Sequence, residues 1–101
     1  DFYDRLNEVR DLQGDIKKHL RNQDMAGARE IRSENAEKLK LRKRMEGRAR
    51  IFSKLRGRQN FIMQSSDLSP TEKYQKTQEI QGRINQIAKQ IEANTRSAWS
   101  E

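Results

Sequence analysis

Between positions 38 and 58 the chain carries ten positive residues: Lys38, Lys40, Arg42, Lys43, Arg44, Arg48, Arg50, Lys54, Arg56 and Arg58. Glu46 alone opposes them, so the stretch is +9 in a chain of net charge +7, and the remainder is slightly acidic. Lysine and arginine at this density neutralise phosphates and release counterions. On a helix Lys40, Arg44 and Arg48 align at i, i+4, as do Arg50, Lys54 and Arg58. Like charges so spaced repel by about 0.2–0.5 kcal/mol per pair. A partner that neutralises them would stabilise the helix. The residues from Lys40 to Arg58 are therefore candidate contacts to a nucleic-acid backbone, non-specific and salt-sensitive. The structural alternative is a solvated face whose stems cover an apolar seam, or ion pairs to Glu72, Glu79 and Glu92 further along. Base-specific readout is not expected of a charged rod without an Asn/Gln-rich recognition pattern.

Nothing else in the chain has the spacing of catalytic chemistry. His19 is the one histidine and there is no cysteine. A lone imidazole between Lys18 and Leu20 reads as a solvated surface residue rather than a metal ligand. Acids and bases interleave, as in Glu8, Arg10 and Asp11, the pattern of an exposed helix face. Gly47-Arg48 and Gly57-Arg58 lie inside a helical pattern, not in the strand–loop–helix setting of a phosphate loop. No catalytic, cofactor-binding or metal-ligating residue is assigned, no cofactor is expected, and an enzyme is not expected.

The elements that must carry the basic tract follow from composition and period. Hydrophobic residues are 32% of the 101 positions and charged residues 37%. So thin an apolar supply suits a long bundle with a narrow seam better than a compact core. No apolar run approaches the ~20 residues of a membrane span, and no signal-peptide pattern opens the chain. The chain starts at Asp1 without a methionine, and it is expected to be a single helical domain, 1–101, cut or processed from a larger protein.

The periodicity predicts an all-α fold. Phe2, Leu6, Val9, Leu12 (or Gln13), Ile16 and Leu20 form one stripe on a first helix from about Asp1 to Asn22. Gly14 weakens its middle by about 1 kcal/mol against alanine. Asp24 caps a second helix in which Met25, Ala28 and Ile31 share a face. A further break or kink is expected at Ser33-Glu34-Asn35. One long helix then runs over 36–64, with Leu41, Met45, Arg48, Phe52, Leu55, Gln59 and Ile62 at heptad seam spacing. Leu39, Ile51, Phe61 and Met63 lie off that seam, where the N-terminal helices can meet them. A return helix runs over 70–97, striped by Tyr74, Thr77, Ile80, Ile84, Ile87, Ile91 and Thr95. Trp99 lies beyond the clean stripe, and its docking place is open.

Between the two long arms sits Ser69-Pro70-Thr71-Glu72. Ser69 fits an N-cap, Pro70 the first helical position and Glu72 the third, a capping box with proline where its missing N–H costs nothing. Folding the arms about the Asp67–Leu68 turn sets Ile62 against Tyr74, Gln59 against Thr77, Leu55 against Ile80, Phe52 against Ile84 and Met45 against Ile91. The fold expected is an antiparallel long helical hairpin with one or two shorter N-terminal helices packed on it.

This order of features resembles the helical domain near the C-terminus of phage large polyvalent proteins, and the tails of internal virion (DNA-ejection) proteins of tailed phages. The resemblance runs from about Phe2 to Ile91. It is carried by Leu68-Ser69-Pro70-x-Glu72-Lys73, followed by Ile80, Ile84-Asn85 and Ile87-Ala88. Tyr74 and Gln75 stand where charged residues are more typical. The resemblance implies a structural role within an oligomeric assembly inside the virion, delivered into the host with the genome. Its partners would be other virion proteins or copies of the same chain, with DNA contacted through the basic helix. It carries over no catalytic residue. Two other readings fit the same residues: a stand-alone nucleic-acid-binding bundle, and a membrane-surface segment. The last is disfavoured, because Phe52, Leu55, Phe61, Ile62 and Met63 are free for lipid only if the hairpin opens.

Overall fold

A computed structural model describes residues 2–99 of the chain. Those residues form five helices: α1 (Phe2–Arg21), α2 (Met25–Glu34), α3 (Ala36–Lys40), α4 (Arg42–Gln64) and α5 (Pro70–Trp99). The described residues contain no strand. Asp1, the expected start of the first helix, lies outside them.

The hairpin of α4 and α5 turns at 65–69, and its capping chemistry is local. The Ser69 hydroxyl accepts the Glu72 backbone N–H at 3.2 Å and donates to the Glu72 carboxylate, also at 3.2 Å. Ser69 thus caps the orphan amide, while the Glu72 carboxylate takes the Ser69 hydroxyl rather than the Ser69 backbone N–H of the expected box. On the other side, the Ser65 hydroxyl accepts the Asp67 N–H. α4 has 23 residues and α5 has 30, or about 34 Å and 45 Å at 1.5 Å per residue. The molecule is accordingly long, 60 × 29 × 15 Å, with a radius of gyration of 18.5 Å; a compact chain of this length would have about 13 Å.

The seam lies in two clusters. Phe52 and Leu55 meet Ile84 and Ile87, with Ile80 at the edge. Met45 and Ile91 meet Leu6 and Val9 of α1. This is the expected register, with one addition: α1 lies in the groove of the hairpin as a third helix. Its direction follows from its contacts. Phe2 reaches Phe52, and Leu6 and Val9 reach Met45, so α1 runs antiparallel to α4 and parallel to α5. Gln59 falls beside Thr77 as expected. The Gln59 amide donates to the Thr77 carbonyl at 3.1 Å and to the Gln81 side chain at 3.2 Å, while the Thr77 hydroxyl turns back to the Lys73 carbonyl at 2.8 Å.

Two expectations are corrected. The helix anticipated over 36–64 is interrupted at Leu41, whose N–H bonds to the Lys38 carbonyl in a tighter, three-residue step. In an unbroken helix, positions 39 and 41 sit about 200° apart, and one of them would face water. The break lets both Leu39 and Leu41 pack on the Leu6–Val9–Met45–Ile91 cluster. The second correction is Tyr74, which at 65% exposure lies outside the buried seam it was expected to extend. Phe61 and Met63 are also exposed, at 76% and 56%. The other expected breaks are present: Asp24 caps α2 by accepting the Gly27 N–H at 2.9 Å, and Asn35 closes it by bonding back to Ile31.

Met45 is fully buried, at 0% exposure, and touches all three helices of the bundle through its cluster. Met45→Ala is expected to cost about 2–5 kcal/mol in chemical denaturation. Met63→Ala, a change of the same chemistry at an exposed position of the same helix, is expected to fall within about 0.5 kcal/mol of the parent.

Candidate nucleic-acid interface

The basic tract divides into structural and unengaged cations once α1 is in place. Glu46, the lone acid of the tract, is held by two guanidinium nitrogens of Arg10 on α1, Nε at 2.8 Å and Nη2 at 2.9 Å. That pair holds the Glu46 carboxyl below its ordinary range, with nearby Arg42 and Arg50 adding to the effect, and raises Arg10. Lys38 donates to Glu8 of α1 at 2.9 Å. Glu8 also accepts the Trp99 indole N–H from the last turn of α5. Those two bonds, Trp99 first and Lys38 second, lower the Glu8 carboxyl. Lys38 and Arg5 lie over the Trp99 ring at 5.3 and 5.6 Å, so the indole is gripped by cations from two elements. Arg5 also donates to the Thr95 hydroxyl at 2.8 Å, which satisfies a side chain with 1% exposure.

What remains of the tract faces outward. Lys40 lies in α3 beside Glu37, at 3.7 Å with both side chains largely exposed. The break at Leu41 falls between it and Arg44, so these cations lie on two successive helices rather than one. Arg56 lies over the Tyr3 ring at 5.6 Å. Among the described residues no ion pair engages Arg42, Lys43, Arg44, Arg48, Arg50, Lys54 or Arg58, and none joins α4 to Glu72, Glu79 or Glu92. Glu72 is instead committed to its cap.

Steps of seven, four and four put Lys43, Arg50, Lys54 and Arg58 on one face of α4, and all four are exposed. The row spans about 22 Å at 1.5 Å per residue. Arg48 is only half exposed and turns to the seam between the two arms. There it lines a shallow groove with Glu79, Arg83 and Gln86. Arg83 was absent from the sequence candidates. Its signal was available: the register that sets Phe52 against Ile84 brings position 83 beside 48 and 51.

His19 is not a bare surface residue. Its Nδ1 lies 2.8 Å from an Asp24 carboxylate oxygen, while the other Asp24 oxygen caps α2. The Gly27 backbone N–H, and then His19, lower the Asp24 carboxyl. A Cβ at Gly27 would crowd the Asp24 carboxylate first and the His19 imidazole next, so a side chain there would have to displace the cap. Among the described residues no group of acids, histidines or cysteines has the spacing to hold a metal ion. Among the described residues no helix is long and apolar enough to cross a membrane. No protein-family model matches the chain, nor does any curated protein or solved structure.

Glu8 and Glu46 join α1 to the rest of the bundle, and their hydrogen bonds, to Trp99 and Lys38 and to Arg10, hold both carboxyls below the ordinary carboxylate range. A carboxylate with a depressed folded pKa contributes its full stabilisation above the unfolded value and loses it as pH falls through the folded value. The thermal midpoint is therefore expected to hold from neutral pH to about 5 and then to fall below about 4.5. The double variant Glu8→Gln/Glu46→Gln is expected to start lower at neutral pH and to show a shallower acid limb. Circular dichroism melts across the acid range measure both.

Proposed function

We propose that this chain is a non-catalytic structural module that lays the exposed row of α4 along the phosphate backbone of nucleic acid. Its setting would be that of the proteins it resembles in sequence, the internal or DNA-ejection proteins of tailed-phage virions. The observation that carries the nucleic-acid part is the row Lys43, Arg50, Lys54 and Arg58, exposed and with no carboxylate at ion-pair distance among the described residues, Glu46 near Arg50 being bound instead to Arg10. A helix that held such a row for fold stability alone would be expected to pair it, since unpaired like charges at i, i+4 cost stability. Phosphates relieve that cost and release counterions as they do so. The α4–α5 groove with Arg48 and Arg83 adds two guanidinium groups beside the same helix.

Assembly with other protein chains is the companion reading, and the surface supports it. The accessible area is 7624 Å², against about 6,000 Å² for a compact protein of this mass. A rod with so much surface for its core suits a part that neighbours cover. Sedimentation over a range of concentrations reads this directly, and a chain that stays monomeric throughout removes self-association from the proposal.

Binding to a short DNA duplex, followed by fluorescence anisotropy over a salt series, tests the nucleic-acid part. Four phosphate contacts predict a slope of log K against log salt of about −3.6. The triple variant Arg50→Gln/Lys54→Gln/Arg58→Gln is expected to lower the magnitude of that slope by about 2.7, with no change in sequence preference. No binding at low salt, or an unchanged slope in the triple variant, overturns the proposal.

A further inference from the structure

The end of the bundle away from the hairpin turn carries a second surface, independent of α4. The C-terminal half of α1 and helices α2 and α3 enclose an open groove of about 570 Å³. Its floor is apolar: Ile16 and Leu20 from α1, with Ala36 and Leu39 from α3. Its rim is cationic: Lys17 from α1, Arg32 from α2 and Lys40 from α3. No acidic residue lines it, and Arg21 adds a further cation where the surface continues past Leu20. Lys40 has Glu37 at 3.7 Å, an exposed and loose pair, while Lys17 and Arg32 have no ion-pair partner among the described residues.

We infer that this groove docks an acidic peptide segment of a partner protein, one that presents a large apolar side chain flanked by carboxylates. The volume is within the ~300–1,000 Å³ typical of pockets for small groups, and the groove is too short for a long partner helix. Ile16 and Leu20 are one helical turn apart, about 6 Å along the axis. An apolar anchor on that floor removes water from Leu20 and Leu39, which are half-exposed in the free chain. The flanking carboxylates then face cations supplied by three different helices. Charge arranged around an apolar floor selects by sign and steers the encounter. A nucleic-acid backbone would meet the cations and leave the apolar floor unused. The basic rail of α4 has the opposite character, cations with no apolar floor, so the two surfaces differ in what they take.

The test uses the full chain labelled with ¹⁵N and titrated at low salt with the capped peptide Glu-Glu-Leu-Phe-Glu-Glu. Amide shifts are expected at Ile16, Leu20, Ala36 and Leu39. Lys17→Glu/Arg32→Glu changes two exposed side chains and is expected to weaken binding about tenfold or more. The same variant is expected to gain binding to Lys-Lys-Leu-Phe-Lys-Lys, which distinguishes lost complementarity from lost fold. Ala36→Phe, at an exposed helical position, is expected to fill the groove and abolish the shifts while circular dichroism stays unchanged. Shifts confined to α4, equal binding of Glu-Glu-Ser-Ser-Glu-Glu, or no shifts at all overturn the inference. Dodecanoate binding in the groove without peptide binding also overturns it and gives the site to a lipid-type anion.

Discussion

A pair of antiparallel helices with a seam this narrow cannot exclude water from both sides of its own interface. The structure depends on α1 lying in the groove between α4 and α5. Met45 and Ile91 reach 0% and 1% exposure only where Leu6 and Val9 cover them. Where α1 stops, at Phe2 beside Phe52, burial stops soon after. Further toward the turn the hairpin is two helices thick, and Phe61, Met63 and Tyr74 are exposed there. Few buried contacts mean low local stability, so this outer third is the part expected to open first. The Gln59 bonds to the Thr77 carbonyl and the Gln81 side chain tie the arms to each other there, by hydrogen bonding rather than burial.

The same docking sorts the charge. α1 supplies Glu8 to Lys38 and Arg10 to Glu46. The second pairing matters for α4, because it commits the lone acid of the tract to a partner on another helix. Arg42 and Arg50 still feel Glu46 at a distance, as its lowered carboxyl records. Beyond them the face of α4 has no internal neutraliser. A helix with bases on its outer face and one acid turned inward is stable here because burial of Met45, Phe52 and Leu55 offsets the repulsion.

Much of this was legible in the sequence where the chemistry was local or periodic. The Ser69-Pro70-x-Glu72 cap, the Asp24 cap and the register Met45–Ile91 needed only neighbouring residues and a heptad count. What was not legible required knowing where α1 would lie. The break at Leu41 follows from both Leu39 and Leu41 being drawn to a cluster that α1 completes. Trp99 could not be placed because its hydrogen-bond partner, Glu8, is 91 positions away. Tyr74 was read as seam because its spacing continues the stripe, yet no third helix covers it. On the candidate interface, the row Arg50–Lys54–Arg58 was visible from spacing alone, whereas the place of Arg83 beside Arg48 needed the register of the two arms as well.

The arrangement of charge also bears on why the two ends of the rod differ. Helix α4 has no cation in its last turn and no acid in its first, so it ignores the usual complement to the helix dipole. Its bases are spread along its length, which gives little to helix stability and much to an extended anionic contact. The α1–α2–α3 end does the reverse. There the cations come from three short segments and ring an apolar floor. Of these, Arg32 rides on α2, whose first turn is capped by Asp24, itself in contact with His19 of α1. A straight rail tolerates loss of any one charge with a proportional loss of binding. A ring drawn from three helices depends on how those helices meet as well as on its charges, and that separates the two surfaces by geometry as well as by chemistry.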